Sequence, residues 1–251
     1  MKLTLLAAIT GLYTLSPAAT AQDLPPPTTL YLLPGTGADH RLFHQLDLSA
    51  YDAVYVRLPI AERRESMADY AQRIVRTQID TTECFALLGV SLGGMVATEI
   101  AAAYPEQVER AVIVASAKTR LELPPTYRFG RHVPVYRLVG GRAMRWFTKQ
   151  VQPRFEPMAD AQRDLFIDMI YGKDPQFLQR AVGLMVRWER EEVPAGITHV
   201  HGTEDRTLPV EYVEADVTVQ DEGHMLTYSR PEVVEGVLMN ARMATVTERP
   251  N

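Results

Sequence analysis

The run Cys84-Phe85-Ala86-Leu87-Leu88-Gly89-Val90, followed at once by Ser91-Leu92-Gly93-Gly94-Met95-Val96-Ala97, decides the fold. An apolar run with no polar alternation suits a strand buried on both faces, as in a parallel sheet covered by helices. The alanine-rich stretch 92–103, stopped at Tyr104-Pro105, reads as a helix leaving that strand. Ser91 then sits at the strand-to-helix corner, with Gly89 and Gly93 leaving room for a tight turn. Gly93, Gly94 and Ala97 are small enough for the helix to approach the sheet closely. Cys84, inside the apolar run, is expected to be a buried small hydrophobe. As the chain's single cysteine it leaves no intrachain disulfide.

Outward from this corner the same rhythm repeats. Residues 29–33 form a partly β-branched apolar run, stopped by Pro34-Gly35-Thr36-Gly37. Residues 53–58 read as a second strand. Residues 66–79 read as a helix that Ser66 can cap, with Met67, Tyr70, Ala71, Ile74, Val75 and Ile79 at helical spacing. Residues 111–115 form another strand. From residue 117 to about 194 no core strand is evident. Residues 197–201 and 217–219 then resume the strand pattern, and 232–243 reads as a final helix. Alternating strands and helices imply an α/β fold with right-handed crossovers onto one mainly parallel sheet, helices on both faces. The helical stretch, about 120–193, interrupts it.

With 251 residues the chain can bury a good core in one domain. The net charge of −5 argues against a nucleic-acid partner. The first 21 residues resemble a secretory leader: Lys2, an apolar stretch over 3–15, and Ala19-Thr20-Ala21 as a cleavage site. Residues 22–28 contain Pro25-Pro26-Pro27 and read as a stiff linker. The expected product is an exported, soluble domain over 29–251. Residues 120–160 carry eight Lys or Arg against three acids, Glu122, Glu156 and Asp160. Such a stretch is either a solvated helix face or a weak contact for an anionic substrate or surface.

Three residues form the candidate chemistry. Ser91, at the exposed corner, is the candidate nucleophile. A serine hydroxyl needs a base, and His224, in Asp221-Glu222-Gly223-His224-Met225 just after the last strand, falls on the same edge of the sheet. The base needs an orienting carboxylate, and Asp205 follows the 197–201 strand in His201-Gly202-Thr203-Glu204-Asp205. Glu204 is the nearest competitor and is expected to be solvated. The Leu92 N–H, at a helix N-terminus, is one candidate oxyanion donor. The loop after the first strand offers the second: Thr36, with Gly37 as alternative. Of Asp39, His40 and His44 nearby, His40 either lines the pocket or sits on the surface. The six histidines show no metal-ligand spacing, and no cofactor is expected.

These segments together resemble the α/β-hydrolase family. The likeness covers residues 29–117 and 197–243. It rests on Pro34-Gly35-Thr36-Gly37, Gly89-Val90-Ser91-Leu92-Gly93-Gly94, Gly202-Thr203-Glu204-Asp205 and Gly223-His224, in that order. Tyr104-Pro105-Glu106-Gln107-Val108 is also similar to family members. Two features depart from the family. Pro34-Gly35 stands where many members have a histidine–glycine pair, and the antiparallel hairpin that often begins the fold is missing. About six strands are therefore expected rather than eight. The resemblance implies that 120–193 is a cap over the site. Its apolar residues, including Trp146, Phe147, Phe155, Phe166 and Trp188, are expected mostly to pack it onto the core. It also implies a serine hydrolase acting on small carboxylic esters. Lipase, thioesterase and other acyl hydrolase activities are alternatives, and a binding protein that kept the fold is another.

Overall fold

The computed structural model describes residues 28–248. The leader, its cleavage after Ala21 and nearly all of the linker lie outside the described residues. In chain order the strands are β1 (Thr29–Leu33), β2 (Asp52–Tyr55), β3 (Phe85–Val90), β4 (Val108–Val114), β5 (Ile197–Gly202) and β6 (Val217–Val219). The helices are α1 (Met67–Gln78), α2 (Leu92–Ala103), α3 (Pro125–His132), α4 (Gly141–Phe155), α5 (Asp160–Tyr171), α6 (Pro175–Val186), α7 (Leu226–Ser229) and α8 (Pro231–Glu248).

The six strands form one sheet in the order β2-β1-β3-β4-β5-β6, and every neighbouring pair is parallel. On β3, the adjacent residues Leu87 and Leu88 are both fully buried, so both faces of this strand are covered. That is the condition under which an unalternating apolar run is stable. The order in which strands are added reverses between β1 and β3, and loops at such a switch point splay apart to leave a crevice at the carboxyl edge. Register brings the strand ends flush there: Leu33 pairs with Gly89, Val90 with Val114, Val114 with Val200, and Gly202 with Val219.

Local sequence accounts for the boundaries. The Ser66 hydroxyl accepts the Asp69 N–H at 3.0 Å and caps α1, and the buried Met67, Tyr70, Ala71, Ile74 and Val75 form its inner stripe. Such a cap contributes about 1 kcal/mol. Three expectations need correction. Cys84 is exposed rather than buried, because the strand begins at Phe85 and Cys84 lies beyond the covered edge. β4 begins at Val108 rather than 111; its first residues, including Glu109 and Arg110, are only half-buried and give no apolar signal. β2 ends at Tyr55, although Val56 still donates to Leu32 O at 2.9 Å.

All described elements between β4 and β5 are helical. Their two ends are tied together at the base, where Arg120 N–H donates to Arg190 O at 2.8 Å. The buried Glu99 of α2 accepts from Trp188 Nε1 at 2.6 Å and from Arg190 Nε and Nη2, both at 2.9 Å. A carboxylate so placed is costly unless paired and hydrogen-bonded, and here three donors meet it. Phe166 and Trp188 are buried, as expected, and Met169 and Met185 are buried with them. Trp146, Phe147 and Phe155 are not; they stay more than half exposed on α4.

Candidate active site

The Ser91 corner is strained. Its φ of 53° and ψ of −121° lie where side chains other than glycine rarely go. The surroundings hold it there. Ser91 N–H donates to Val114 O at 3.0 Å, and the Ser116 hydroxyl donates to Ser91 O at 2.7 Å. The close approach needs missing side chains. A Cβ on Gly93 would lie 2.0 Å from Leu33 O, and one on Gly89 would lie 2.5 Å from Gly93 O. Leu92 opens α2, so its N–H has no acceptor within the helix.

The loop after β1 closes with Ala38 N–H on Gly35 O at 3.1 Å, a tight turn that leaves the N–H groups of Thr36 and Gly37 outside its own bond. Gly35 packs on the serine: a Cβ there would lie 3.1 Å from Ser91 Cβ. The Thr36 hydroxyl is buried and has no hydrogen-bond partner. His40 lies on the surface, with its side chain 57% exposed.

Asp205 and His224 meet directly. His224 Nδ1–H donates to Asp205 Oδ2 at 2.7 Å. The other carboxylate oxygen accepts the Thr207 and Leu208 N–H groups at 2.9 and 2.8 Å. Burial pushes the Asp205 carboxyl up, but the His224 charge and these bonds outweigh it and hold it below the ordinary 3.8. Burial likewise pulls His224 down, and the Asp205 charge and hydrogen bond reverse this and raise it above 6.5. The two loops are zipped together: Glu204 N–H donates to Glu222 O at 2.8 Å, and Asp221 N–H to Thr203 Oγ1 at 2.9 Å. The Glu204 side chain is about half exposed, as expected of the competitor.

Ser91, His224, Thr36 and Gly37 line one cavity of about 140 Å³. Leu42, Phe166, Ile170 and Met185 supply apolar wall, and α4 contributes Met144, Thr148 and Gln152.

Sequence reasoning missed two groups. The first is Glu156, at the C-terminal end of α4. It is buried and accepts from Arg206 N–H at 3.3 Å, His224 N–H at 3.4 Å and the Thr207 hydroxyl. The cap thereby grips both the Asp205 loop and the His224 loop. Pro157 adds to the grip, for a Cβ on Gly223 would lie 2.8 Å from its ring. The second group is a buried histidine pair behind Asp205. His201 Nε2 lies 2.7 Å from Leu208 O and 3.4 Å from Asp205 Oδ2, so that nitrogen carries the proton. Its bare Nδ1 then accepts from His199 Nε2 at 3.0 Å. Burial, the larger cause, pushes His199 down to about 3, so it stays neutral. The one available signal was the i,i+4 spacing of His201 and Asp205.

A family model described as "Alpha/beta hydrolase family" matches residues 16–237. The chain belongs to the alpha/beta hydrolase family. No curated protein matches it significantly. Among solved structures it is similar to an esterase from Thermogutta terrifontis, at 16% identity and TM-score 0.67, over 85% of this chain and 90% of that one. It is similar to an enol-lactonase from Burkholderia xenovorans LB400, at 14% identity and TM-score 0.67, over 87% and 92%. It is also similar to a putative lipase from Acinetobacter baumannii AYE, at 18% identity and TM-score 0.60, over 89% and 86%. At these identities the likeness is one of fold. As an alpha/beta hydrolase the chain keeps the six-stranded parallel core, without a leading antiparallel hairpin among the described residues.

Proposed function

We propose that this hydrolase cleaves small carboxylic esters through an acyl-enzyme, with Ser91 as nucleophile, His224 as general base and acid, and Asp205 as the orienting carboxylate. The 2.7 Å bond from His224 Nδ1 to Asp205 Oδ2 carries this reading. It commits the Nδ1 proton to the carboxylate and leaves Nε2 free to accept one, in the cavity that Ser91 also lines. Ser91 Oγ attacks the ester carbonyl as its proton passes to Nε2. The Leu92 and Thr36 N–H groups hold the developing oxyanion, with Gly37 as the alternative to Thr36. His224 returns the proton to the leaving alkoxide. It then takes one from water, which attacks the acyl carbon and frees Ser91. Nucleophile, base and oxyanion donors all come from the chain, so the reaction as written calls for no cofactor.

The small, mainly apolar cavity favours short acyl groups. A series of p-nitrophenyl esters of rising chain length, run beside a matched thioester, tests this. Highest kcat/KM on a short oxygen ester supports the reading; a higher value on the thioester would make the protein a thioesterase instead. Export, with cleavage after Ala21, belongs to the same proposal. It predicts Gln22 as the N-terminal residue of protein recovered from outside the cytoplasm.

A further inference from the structure

Helix α4 has two sides. Met144, Thr148 and Gln152 face the cavity that holds Ser91 and His224. Elsewhere on the helix, Trp146, Phe147 and Val151 are 64, 58 and 37% exposed, interleaved with the exposed Arg142 and Arg154. Phe155 closes the helix at 54% exposed, and Leu138, just before its start, reaches 88%. A soluble surface rarely gathers this much apolar area without a partner.

The charge of the segment says which partner. From Leu123 to Phe155 there are seven Lys or Arg and no carboxylate. Among the described residues Arg142, Arg145, Lys149 and Arg154 have no ion pair with a carboxylate. Lys149 lies over the Tyr171 ring, and Arg145 donates to Lys173 O, which are neutral partners. The chain as a whole is acidic, at −5. A second copy docked on this face by a two-fold axis would bring two such cationic helices together, against their mutual repulsion. An anionic bilayer surface satisfies both features: aromatic rings settle at headgroup depth while arginines reach lipid phosphates.

We propose that α4 docks this protein on anionic lipid surfaces, through Trp146, Phe147 and Val151 together with Arg142 and Arg154. The acidic remainder of the molecule is repelled by the same surface, which favours this one orientation. The cavity then lies one helix away from the bilayer. Given the hydrolase reading, membrane-held esters whose acyl group is short enough for the cavity become its substrates.

Trp146 is a built-in reporter, since the only other tryptophan, Trp188, is buried. Phosphatidylcholine vesicles with and without phosphatidylglycerol are added to the full mature protein. The expected result is a blue shift of the Trp146 emission and co-sedimentation with the anionic vesicles alone, reversed by salt. Arg142→Gln with Arg154→Gln weakens binding about thirtyfold. Phe147→Ser weakens it further, and each variant hydrolyses a soluble ester as before. Ser91→Ala abolishes hydrolysis and still binds, which separates docking from the catalytic reading. Absence of any shift, equal binding to both vesicle types, or a dimer that buries Trp146 without vesicles would overturn the proposal.

Discussion

At the carboxyl edge of the sheet, Ser91, Asp205 and His224 are held largely by backbone groups: a strained corner whose carbonyl accepts the Ser116 hydroxyl, a carboxylate fed by two N–H groups, and two loops zipped to each other. The cap above reaches the same loops through the side chain of Glu156, while α4 leaves large apolar residues in solvent. One region is specified from within its own loops; the other depends on a long-range grip and on a surface with no protein partner among the described residues. Substitutions at the rim should therefore strike the chemical step, and substitutions in the cap should act more gently, through positioning.

Asp205→Asn should break the rim hardest. It removes the acceptor that sets the His224 tautomer, and kcat should fall by about 10⁴. The acid limb of the pH–rate profile tests the same bond. His224 must be neutral to act as base and its value is raised, so the wild-type limb lies above 6.5. Without the Asp205 carboxylate, burial, which lowers His224, is opposed only by the smaller effect of the Glu156 charge, so the residual activity of Asp205→Asn should extend to lower pH. The stability signs follow as well. The raised His224 contributes below 6.5, and its contribution is lost as pH rises through its folded value. The lowered Asp205 contributes above 3.8, and its contribution is lost as pH falls through its folded value.

Gly93→Val should come next, measured as unfolding free energy. A Cβ there meets Leu33 O at 2.0 Å, a backbone atom that cannot swing aside, so the cost should be about 3 kcal/mol or more. A value near zero would mean that α2 does not press on β1. Glu156→Gln sharpens the comparison from the cap side. It keeps the shape and loses the charge, at a cost of about 1–2 kcal/mol. The Glu156 charge helps raise His224, so the acid limb should move to lower pH while turnover at high pH is largely kept. An unchanged profile would separate the cap from the catalytic loops. Cys84→Ser should do least, within about 0.5 kcal/mol in thermal unfolding, because Cys84 is exposed beyond the strand.

What could be read from the sequence divides along the same line. The β3 run, the glycines around Ser91 and the short strand-end motifs that carry Asp205 and His224 are local patterns, and local patterns set the sheet and its edge. Periodicity misplaced Cys84, because an apolar run does not show where its neighbours stop covering it. It missed the start of β4, because Glu109 and Arg110 sit at the half-buried end of the strand. Glu156 was the harder case. Its partners Arg206, Thr207 and His224 lie 50 to 68 residues away, and no spacing rule reaches that far. It did stand out as one of three acids in the basic stretch 120–160, just before Pro157. His199 looked like any strand residue, and only the fold places it behind His201.

Labelling with a fluorophosphonate, followed by mass mapping of the modified peptide, tests the proposed nucleophile most directly. The expected result is a single adduct on Ser91 in the wild type, none in Ser91→Ala and a much slower reaction in His224→Ala. Equal labelling of wild type and Ser91→Ala, or an adduct on another serine, would contradict the account.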